Sequence, residues 1–184
     1  LRRDSVHGRF IGTIRVDLEN DLLVINGNPV KFIYASGPSE VNYEKLGIIK
    51  PIVIDNTGIW RDETDLSQHL DSGASKVILT APAKGDIRNI VFGVNDKSLT
   101  DADNIISAAS CTTNAIVPVL KILSDKYGIQ NGHIETVHSY TNDQNLIDNF
   151  HSGDRRGRSA PLNMVITSTC LLYTSDAADD RSWV

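Results

Sequence analysis

The feature that most constrains the fold is a series of short apolar runs that do not alternate with polar residues. They are residues 51–55, 76–80, 89–94 and 104–107. A strand with one buried face alternates apolar and polar residues, whereas a parallel strand covered on both faces is apolar throughout. Residues 62–70 lie between the first two runs and are predicted to form a helix that ends at Gly73. The pattern therefore predicts an α/β fold with a parallel sheet covered on both faces.

Turn-forming residues separate three short β-branched runs near the start of the chain. These runs are residues 12–16, 21–25 and 30–34. Asn26 and Gly27 lie between the second and third runs, and both residue types tolerate the positive φ angles of a tight hairpin turn. The sequence therefore predicts a β-hairpin at this point. Residues 38–46 are predicted to form a short helix, with proline in its first turn.

Composition excludes several classes of protein. The 184 residues include 18 Lys and Arg against 23 Asp and Glu, and the net charge is -5 at pH 7. The chain has no basic run of the kind that neutralises nucleic-acid phosphates, and no apolar stretch reaches the ~20 residues that cross a bilayer. Its two cysteines are too few for a disulfide framework. We therefore expect a cytoplasmic chain that binds neither nucleic acid nor membrane, and we expect no metal site.

Cys111 is the candidate nucleophile. It follows the apolar run 104–107 and precedes an apolar, helix-like stretch that ends at Gly128. A strand-to-helix junction places Cys111 at a helix N-terminus, where free N–H groups and the helix dipole favour a thiolate or bind an anion such as phosphate. Pro118 is expected to kink this helix or to make its start irregular. A free cysteine is also commonly a small buried core residue, and this stretch alone leaves both interpretations open.

His138 is the candidate base for this thiol. It lies 27 residues after Cys111, in residues 133–140, which are predicted to form a strand. A helix, a turn and a returning strand would bring the imidazole back to the sulfur, and a Cys–His pair is the minimum for an activated thiol nucleophile. Residues 141–159 then form a polar loop, and long polar loops in compact domains are usually functional. Its arginines suit bidentate recognition of phosphate or carboxylate.

Six short blocks of the sequence can be recognised together. They are Asp-Ser-Val-His-Gly-Arg-Phe at 4–10, Asn-Thr-Gly at 56–58, Thr-Ala-Pro at 80–82, Ala-Ser-Cys-Thr-Thr-Asn at 109–114, Thr-Val-His-Ser at 136–139 and Gly-Arg-Ser-Ala at 157–160. In this order they resemble the glyceraldehyde-3-phosphate dehydrogenase family, and the fourth block resembles its nucleophile signature. The resemblance covers residues 4–169, and the ordered set of blocks makes it specific.

The resemblance implies two incomplete domains. Residues 1–110 resemble the later part of a doubly wound dinucleotide-binding domain, truncated so that its G-x-G-x-x-G fingerprint is absent. Residues 111–169 resemble the start of an α+β catalytic domain. Residues 170–184, beginning at Cys170, resemble the translated read-through of a sequencing adapter, so we expect them to be a non-native tail.

The resemblance also implies roles for particular residues. Cys111 would attack the aldehyde, and His138 would activate the thiol and accept the hydroxyl proton. The residues implied to lie near the attacking phosphate are Ser110, Thr112, Arg158 and Thr169. Thr141 is implied to hold the phosphate of the substrate. The residues implied to contact the cofactor are Asn56, Thr57, Gly58, Thr80 and Ala81.

The implied reaction is the glycolytic oxidation of glyceraldehyde 3-phosphate to an acyl phosphate through a cysteine thioester. NAD is the implied hydride acceptor, with NADP as the alternative. The implied partners are a phosphorylated aldehyde, inorganic phosphate and further copies of the chain in a homotetramer. Three alternatives stay open, namely erythrose 4-phosphate as the aldehyde, a Cys/His thiol hydrolase or transferase without a dinucleotide, and a non-enzymatic regulatory or RNA-associating protein.

Two segments depart from the family pattern. Residues 139–145 replace the hydrophobic stretch that usually follows the base, and residues 147–151 alter the next loop. These changes leave the choice between NAD and NADP open. We also expect the 184 residues alone to be inactive, because a missing first βαβ unit would leave the pyrophosphate site unbuilt and sheet edges exposed.

Overall fold

A computed structural model describes residues 3–153 and 155–166, so Thr169, Cys170 and the predicted non-native tail lie outside the described residues. The first three strands form an antiparallel sheet in the order β1 (Ile14–Asp17), β2 (Leu22–Ile25) and β3 (Asn28–Lys31). Asn26 and Gly27 join β2 to β3 with φ angles of 50° and 85°. Two consecutive positive φ angles define the type I′ turn that matches strand twist, so the predicted hairpin is confirmed.

A second sheet is parallel and has three strands in sequence order. They are β4 (Ile52–Asp55), β5 (Lys76–Leu79) and β6 (Ile105–Ser107). Helix α1 (Glu63–Asp71) connects β4 to β5, which is the helical crossover that neighbouring parallel strands require. The predicted α/β fold class is therefore confirmed, with the antiparallel sheet as an addition to it.

Helix α1 begins and ends where the sequence dictates and covers one face of the parallel sheet. The Asp62 carboxylate caps it by accepting the Asp65 N–H at 2.9 Å, and Gly73 follows its end with φ 105°. Leu66 faces the sheet and is completely buried. The core around it also contains Val77, Leu79 and Ile87.

The prediction that the sheet is covered on both faces is wrong for the described residues. On β4, Ile52 and Ile54 are 61% and 62% exposed. On β5, by contrast, Val77 and Leu79 are fully buried beneath α1. An uninterrupted apolar run predicts burial on both faces, but among the described residues only one face of β4 is packed.

The strand predicted at 89–94 is also wrong. Asn89 makes one isolated parallel bridge to Ser107, and the chain then turns. The side chain of Asn95 accepts the Val91 N–H at 2.8 Å, and that of Asp96 accepts the Gly93 N–H at 2.8 Å. These side-chain acceptors take N–H groups that a strand would donate to its neighbour.

Two predicted helices differ in outcome. Residues 38–46 form two separate 3-10 turns, Pro38–Glu40 and Glu44–Leu46, instead of one helix. Helix α2 (Cys111–Tyr127) begins at the predicted cysteine, continues through Pro118 and ends at Gly128. Within the described ranges, neither α1 nor α2 is long and apolar enough to cross a membrane.

The strand predicted at 133–140 is not formed. This segment after α2 has no regular secondary structure and is exposed, and Val137 within it is 90% exposed. A strand is stabilised by hydrogen bonds to a neighbouring strand, and none of the described segments pairs with this one. The prediction of a strand at 133–140 is therefore wrong for the described residues.

Candidate active site

The turn that carries Cys111 connects the end of β6 to the start of α2. Ser107 is the last residue of β6, and Ser110 is the N-cap of α2, where its Oγ accepts the Thr113 N–H at 2.9 Å. Cys111 is therefore the first helical residue, and it is exposed. This geometry favours the interpretation of Cys111 as a nucleophile over its interpretation as a buried core residue.

His138 lies against this thiol. Its Nε2 is 3.2 Å from the Cys111 Sγ, and its Nδ1 is 2.5 Å from the Ser139 carbonyl oxygen. A carbonyl oxygen only accepts hydrogen bonds, so Nδ1 carries a proton. In the neutral imidazole the Nε2 lone pair then faces the sulfur and can take the thiol proton. The Ser139 carbonyl was not identified from sequence, because a backbone acceptor leaves no trace in residue type.

Electrostatics at the pair favour charge separation. The hydrogen bond with His138 lowers the pKa of the Cys111 thiol, and the Thr112 hydroxyl and N–H lower it further. The Ser139 carbonyl raises the pKa of His138, and Cys111 raises it as well. Both shifts favour a thiolate beside an imidazolium, which is the reactive form of a cysteine nucleophile.

The residues implied to bind phosphate have different surroundings. The Ser110 hydroxyl is buried and serves as the helix cap, whereas the Thr112 Oγ1 lies 3.9 Å from the Cys111 Sγ. Thr141 donates its hydroxyl to Asp143, and the Arg158 Nε lies 3.5 Å from the Asp148 carboxylate. The structure thus brings Thr112 to the thiol, while Thr141 and Arg158 contact carboxylates of the loop 141–159. Among the described residues, no group of three or more His, Cys, Asp or Glu side chains could hold a metal ion.

The residues implied to bind the cofactor lie at the same sheet edge as Cys111. Asn56, Thr57 and Gly58 follow the end of β4, and Thr80 and Ala81 follow the end of β5. Hydrogen bonds join the three strand ends, from the Thr80 N–H to the Asp55 carbonyl at 2.9 Å and from the Ala108 N–H to the Leu79 carbonyl at 2.8 Å. Open α/β sheets bind ligands at this carboxyl edge.

A buried polar network beneath this edge was missed by sequence reasoning. Asp55 and His69 are 3% and 8% exposed, and the His69 Nε2 lies 3.2 Å from the Asp55 Oδ2. The other oxygen of Asp55 accepts the N–H and hydroxyl of Thr57 at 2.9 and 2.7 Å. Tyr43 lies beside His69, and burial together with the Asp55 charge raises the pKa of its hydroxyl. The network fixes the turn 56–58. The one sequence feature that could have indicated it is Asp55, an aspartate at the end of an apolar run.

Replacing Asp55 with alanine is expected to lower the free energy of unfolding by about 3 kcal/mol, because the buried His69 loses its acceptor and the Thr57 N–H and hydroxyl lose theirs. Denaturant unfolding of the full-length protein measures this change. The matched control is Asp101→Ala at an exposed position, for which a change within about 0.5 kcal/mol is expected. Equal effects of the two substitutions would contradict a structural role for the buried carboxylate.

Comparisons with known proteins bear on both halves of the chain. Residues 1–63 match the profile of the glyceraldehyde 3-phosphate dehydrogenase NAD binding domain, and residues 110–179 match that of the C-terminal domain of the same enzyme. The chain belongs to the glyceraldehyde-3-phosphate dehydrogenase family. Cys111 and His138 lie within the second match, and the turn 56–58 lies within the first.

Individual relatives agree with this family assignment. The chain is 62% identical over 170 residues to a glyceraldehyde-3-phosphate dehydrogenase-like protein of Pseudomonas aeruginosa. It is 46% identical over 170 residues to the glyceraldehyde-3-phosphate dehydrogenase of Zymomonas mobilis and 43% identical over 169 residues to that of Thermotoga maritima. Each alignment covers 92% of this chain, but only 37%, 49% and 50% of the three relatives respectively. The chain thus spans half or less of the length of these members of the glyceraldehyde-3-phosphate dehydrogenase family.

Proposed function

We propose that the full-length protein is a phosphorylating aldehyde dehydrogenase that oxidises glyceraldehyde 3-phosphate to an acyl phosphate. The observation that carries this proposal is the 3.2 Å contact between the Cys111 Sγ and the His138 Nε2, at a sheet edge beside the candidate cofactor turns. The family assignment supports this reaction for such a pair. We place the enzyme in the cytoplasm, where a thiol nucleophile stays reduced.

In the proposed chemistry, His138 accepts and returns protons and Cys111 is the protein nucleophile. His138 takes the thiol proton, and the Cys111 sulfur attacks the aldehyde carbon to form a C–S bond. The imidazolium of His138 protonates the resulting alkoxide, which gives a thiohemiacetal. His138 then removes the hydroxyl proton as the carbon loses its hydride, and a thioester on Cys111 results. An oxygen of inorganic phosphate attacks the thioester, so the acyl phosphate leaves and the Cys111 thiolate is regenerated.

The strand-end turns suit a nicotinamide dinucleotide. NAD, when bound, supplies the acceptor for the hydride, and NADP is the alternative. Gly58 has φ 70°, and a Cβ built at this position would meet no atom within 4 Å, so the backbone of the turn 56–58 borders open space. The Thr57 hydroxyl donates to Asp55, and Asn56, Thr57 and Gly58 are all exposed. We assign Asn56, Thr57, Gly58, Thr80 and Ala81 to this contact.

Phosphate binding is assigned to groups near the thiol and to the loop 141–159. Thr112 contacts Cys111 directly, and Ser110 shapes the same turn as the helix cap. The guanidinium of Arg158 is weakly paired. Its Nε lies 3.5 Å from the Asp148 carboxylate, and both side chains are largely exposed. An exposed ion pair of this kind contributes little energy, so an incoming phosphate can compete for the arginine. Thr141 is assigned to the substrate phosphate, and Thr169 lies outside the described residues.

A cofactor-reduction assay tests the function. We expect the full-length enzyme to reduce NAD when glyceraldehyde 3-phosphate and inorganic phosphate are both present. Without phosphate the acyl enzyme accumulates. We therefore expect a single burst that yields one molecule of reduced cofactor for each Cys111. Ratios of kcat/KM compare glyceraldehyde 3-phosphate with erythrose 4-phosphate and NAD with NADP. A higher value for erythrose 4-phosphate would replace the substrate assignment, and thiol transfer without any cofactor reduction would overturn the proposed function.

A further inference from the structure

A single buried hydroxyl lies between the cofactor turn and the nucleophile turn. Ser107 is completely buried at the end of β6. Its Oγ accepts the Ala109 N–H at 3.0 Å and lies 2.8 Å from the Ala81 carbonyl oxygen. The Asn89 Oδ1 lies at the same 2.8 Å distance. A hydroxyl has one proton and two lone pairs, so the Ser107 hydroxyl can accept from Ala109 while it donates to one of these two oxygens.

The turn that receives this hydrogen bond is strained. Ala109 has a φ of 59°, in the left-handed region, which costs a residue with a Cβ roughly 1 kcal/mol or more. Ala109 is also buried, so its N–H would be costly to leave unpaired. The hydrogen bond to the Ser107 Oγ satisfies this N–H in the conformation that the turn requires.

The same turn is held from its solvent side by a second side chain. The Asn114 Nδ2 donates to the Ala108 carbonyl at 2.7 Å and to the Ser110 carbonyl at 2.8 Å. Ser107 on the inside and Asn114 on the outside therefore fix the three residues that precede Cys111. Only Ser107 also reaches the turn after β5, through the Ala81 carbonyl.

We propose that Ser107 is a positioning residue that sets the cofactor turn at Ala81 and the nucleophile turn at Ala109 relative to each other. The inference rests on the proposed function, since it assigns Ala81 to the cofactor and Cys111 to the substrate. Hydride transfer needs the thiohemiacetal carbon on Cys111 at a fixed distance from the cofactor ring, and a misplacement of 1 Å can cost about a hundredfold in rate. The Ser107 hydroxyl contacts both turns and acts together with the backbone hydrogen bond from the Ala108 N–H to the Leu79 carbonyl to hold this distance.

The test is Ser107→Ala in the full-length enzyme, assayed with glyceraldehyde 3-phosphate that carries protium or deuterium at the aldehyde carbon. We expect kcat per active site to fall by about tenfold to a hundredfold, and the deuterium isotope effect on kcat to rise because hydride transfer becomes slower than the other steps. The amplitude of the burst of reduced cofactor in the absence of phosphate counts the active sites, so partial unfolding does not enter the comparison.

The matched control is Ser75→Ala at the opposite edge of the same sheet. The Ser75 Oγ lies 2.9 Å from the Lys50 carbonyl oxygen and 3.1 Å from that of Pro51 and donates to one of them, so the substitution also removes a hydroxyl that bonds backbone. We expect it to leave kcat within about twofold and the isotope effect unchanged.

A second variant keeps the experiment decisive if Ser107→Ala does not fold. Asn114→Ala loosens the same turn from its exposed side, and we expect it to raise the isotope effect in the same direction. An unchanged isotope effect in the folded variants would overturn the positioning role while leaving the proposed function intact. Failure of the wild-type enzyme to reduce NAD would instead overturn the proposed function.

Discussion

Replacing Cys111 with serine is expected to lower the rate of aldehyde-dependent NAD reduction by more than about ten-thousand-fold. Serine has nearly the same shape, but its hydroxyl is not deprotonated by an imidazole in the ground state, and the thiolate that His138 stabilises is lost. The burst of reduced cofactor in the absence of phosphate should disappear together with steady turnover. The absorbance of the reduced cofactor measures both quantities.

The control for Cys111→Ser is the affinity for NAD, measured by equilibrium titration. The proposed cofactor turns at 56–58 and 80–81 do not depend on the sulfur, so we expect this affinity to be retained in the folded variant. Turnover near the wild-type rate would show that Cys111 is not the nucleophile, and the proposed dehydrogenase chemistry would then fail.

Replacing His138 with asparagine is expected to lower kcat by about a hundredfold to ten-thousand-fold, the usual contribution of a general base. Asparagine is polar and of similar size, but its amide cannot take the thiol proton or the hydroxyl proton of the thiohemiacetal. The matched control is His133→Asn, since His133 is exposed in the same segment after α2. The kcat of this variant should stay within about twofold of the wild-type value. Equal losses in the two variants would contradict a role specific to His138.

The pH dependence of alkylation gives an independent readout of the pair. His138 lowers the pKa of the Cys111 thiol, so in the wild type the thiolate is populated at lower pH than for an ordinary cysteine and is lost as pH falls through the lowered value. In His138→Asn this stabilisation is absent, and the alkylation curve should move to higher pH. Mass spectrometry of the Cys111 peptide after timed exposure to iodoacetamide measures the curve at this site alone. An unmoved curve would show that the imidazole does not act on the thiol.

Local signals in the sequence were sufficient where the structure is held by local contacts. The Asn26–Gly27 turn needs only residues that tolerate positive φ. Helix α1 has its cap at Asp62 and its glycine after the end, and α2 begins at Cys111 because Ser110 caps it. In each case the deciding group lies within three residues of the boundary.

The sequence failed where the outcome depends on distant partners or on competing side chains. Residues 133–140 have the composition of a strand but pair with no described strand. Within residues 89–94, Val91 and Gly93 donate their N–H groups to the side chains of Asn95 and Asp96, and local apolar content does not reveal that competition. The network of Asp55 and His69 joins residues 14 apart across a strand and a helix, so neither spacing nor residue type identified it.

The left-handed backbone of Ala109 restricts which residues can be substituted two positions before Cys111. Glycine would adopt this conformation freely, and asparagine or aspartate at a modest cost, whereas valine, isoleucine or threonine would clash with their own backbone. The Ala109 side chain is also buried. A bulky side chain at this position is therefore excluded both by the backbone conformation and by the lack of space. Sequence change around the Cys111 thiol therefore has to occur in the neighbouring loops, while the residue at position 109 stays small.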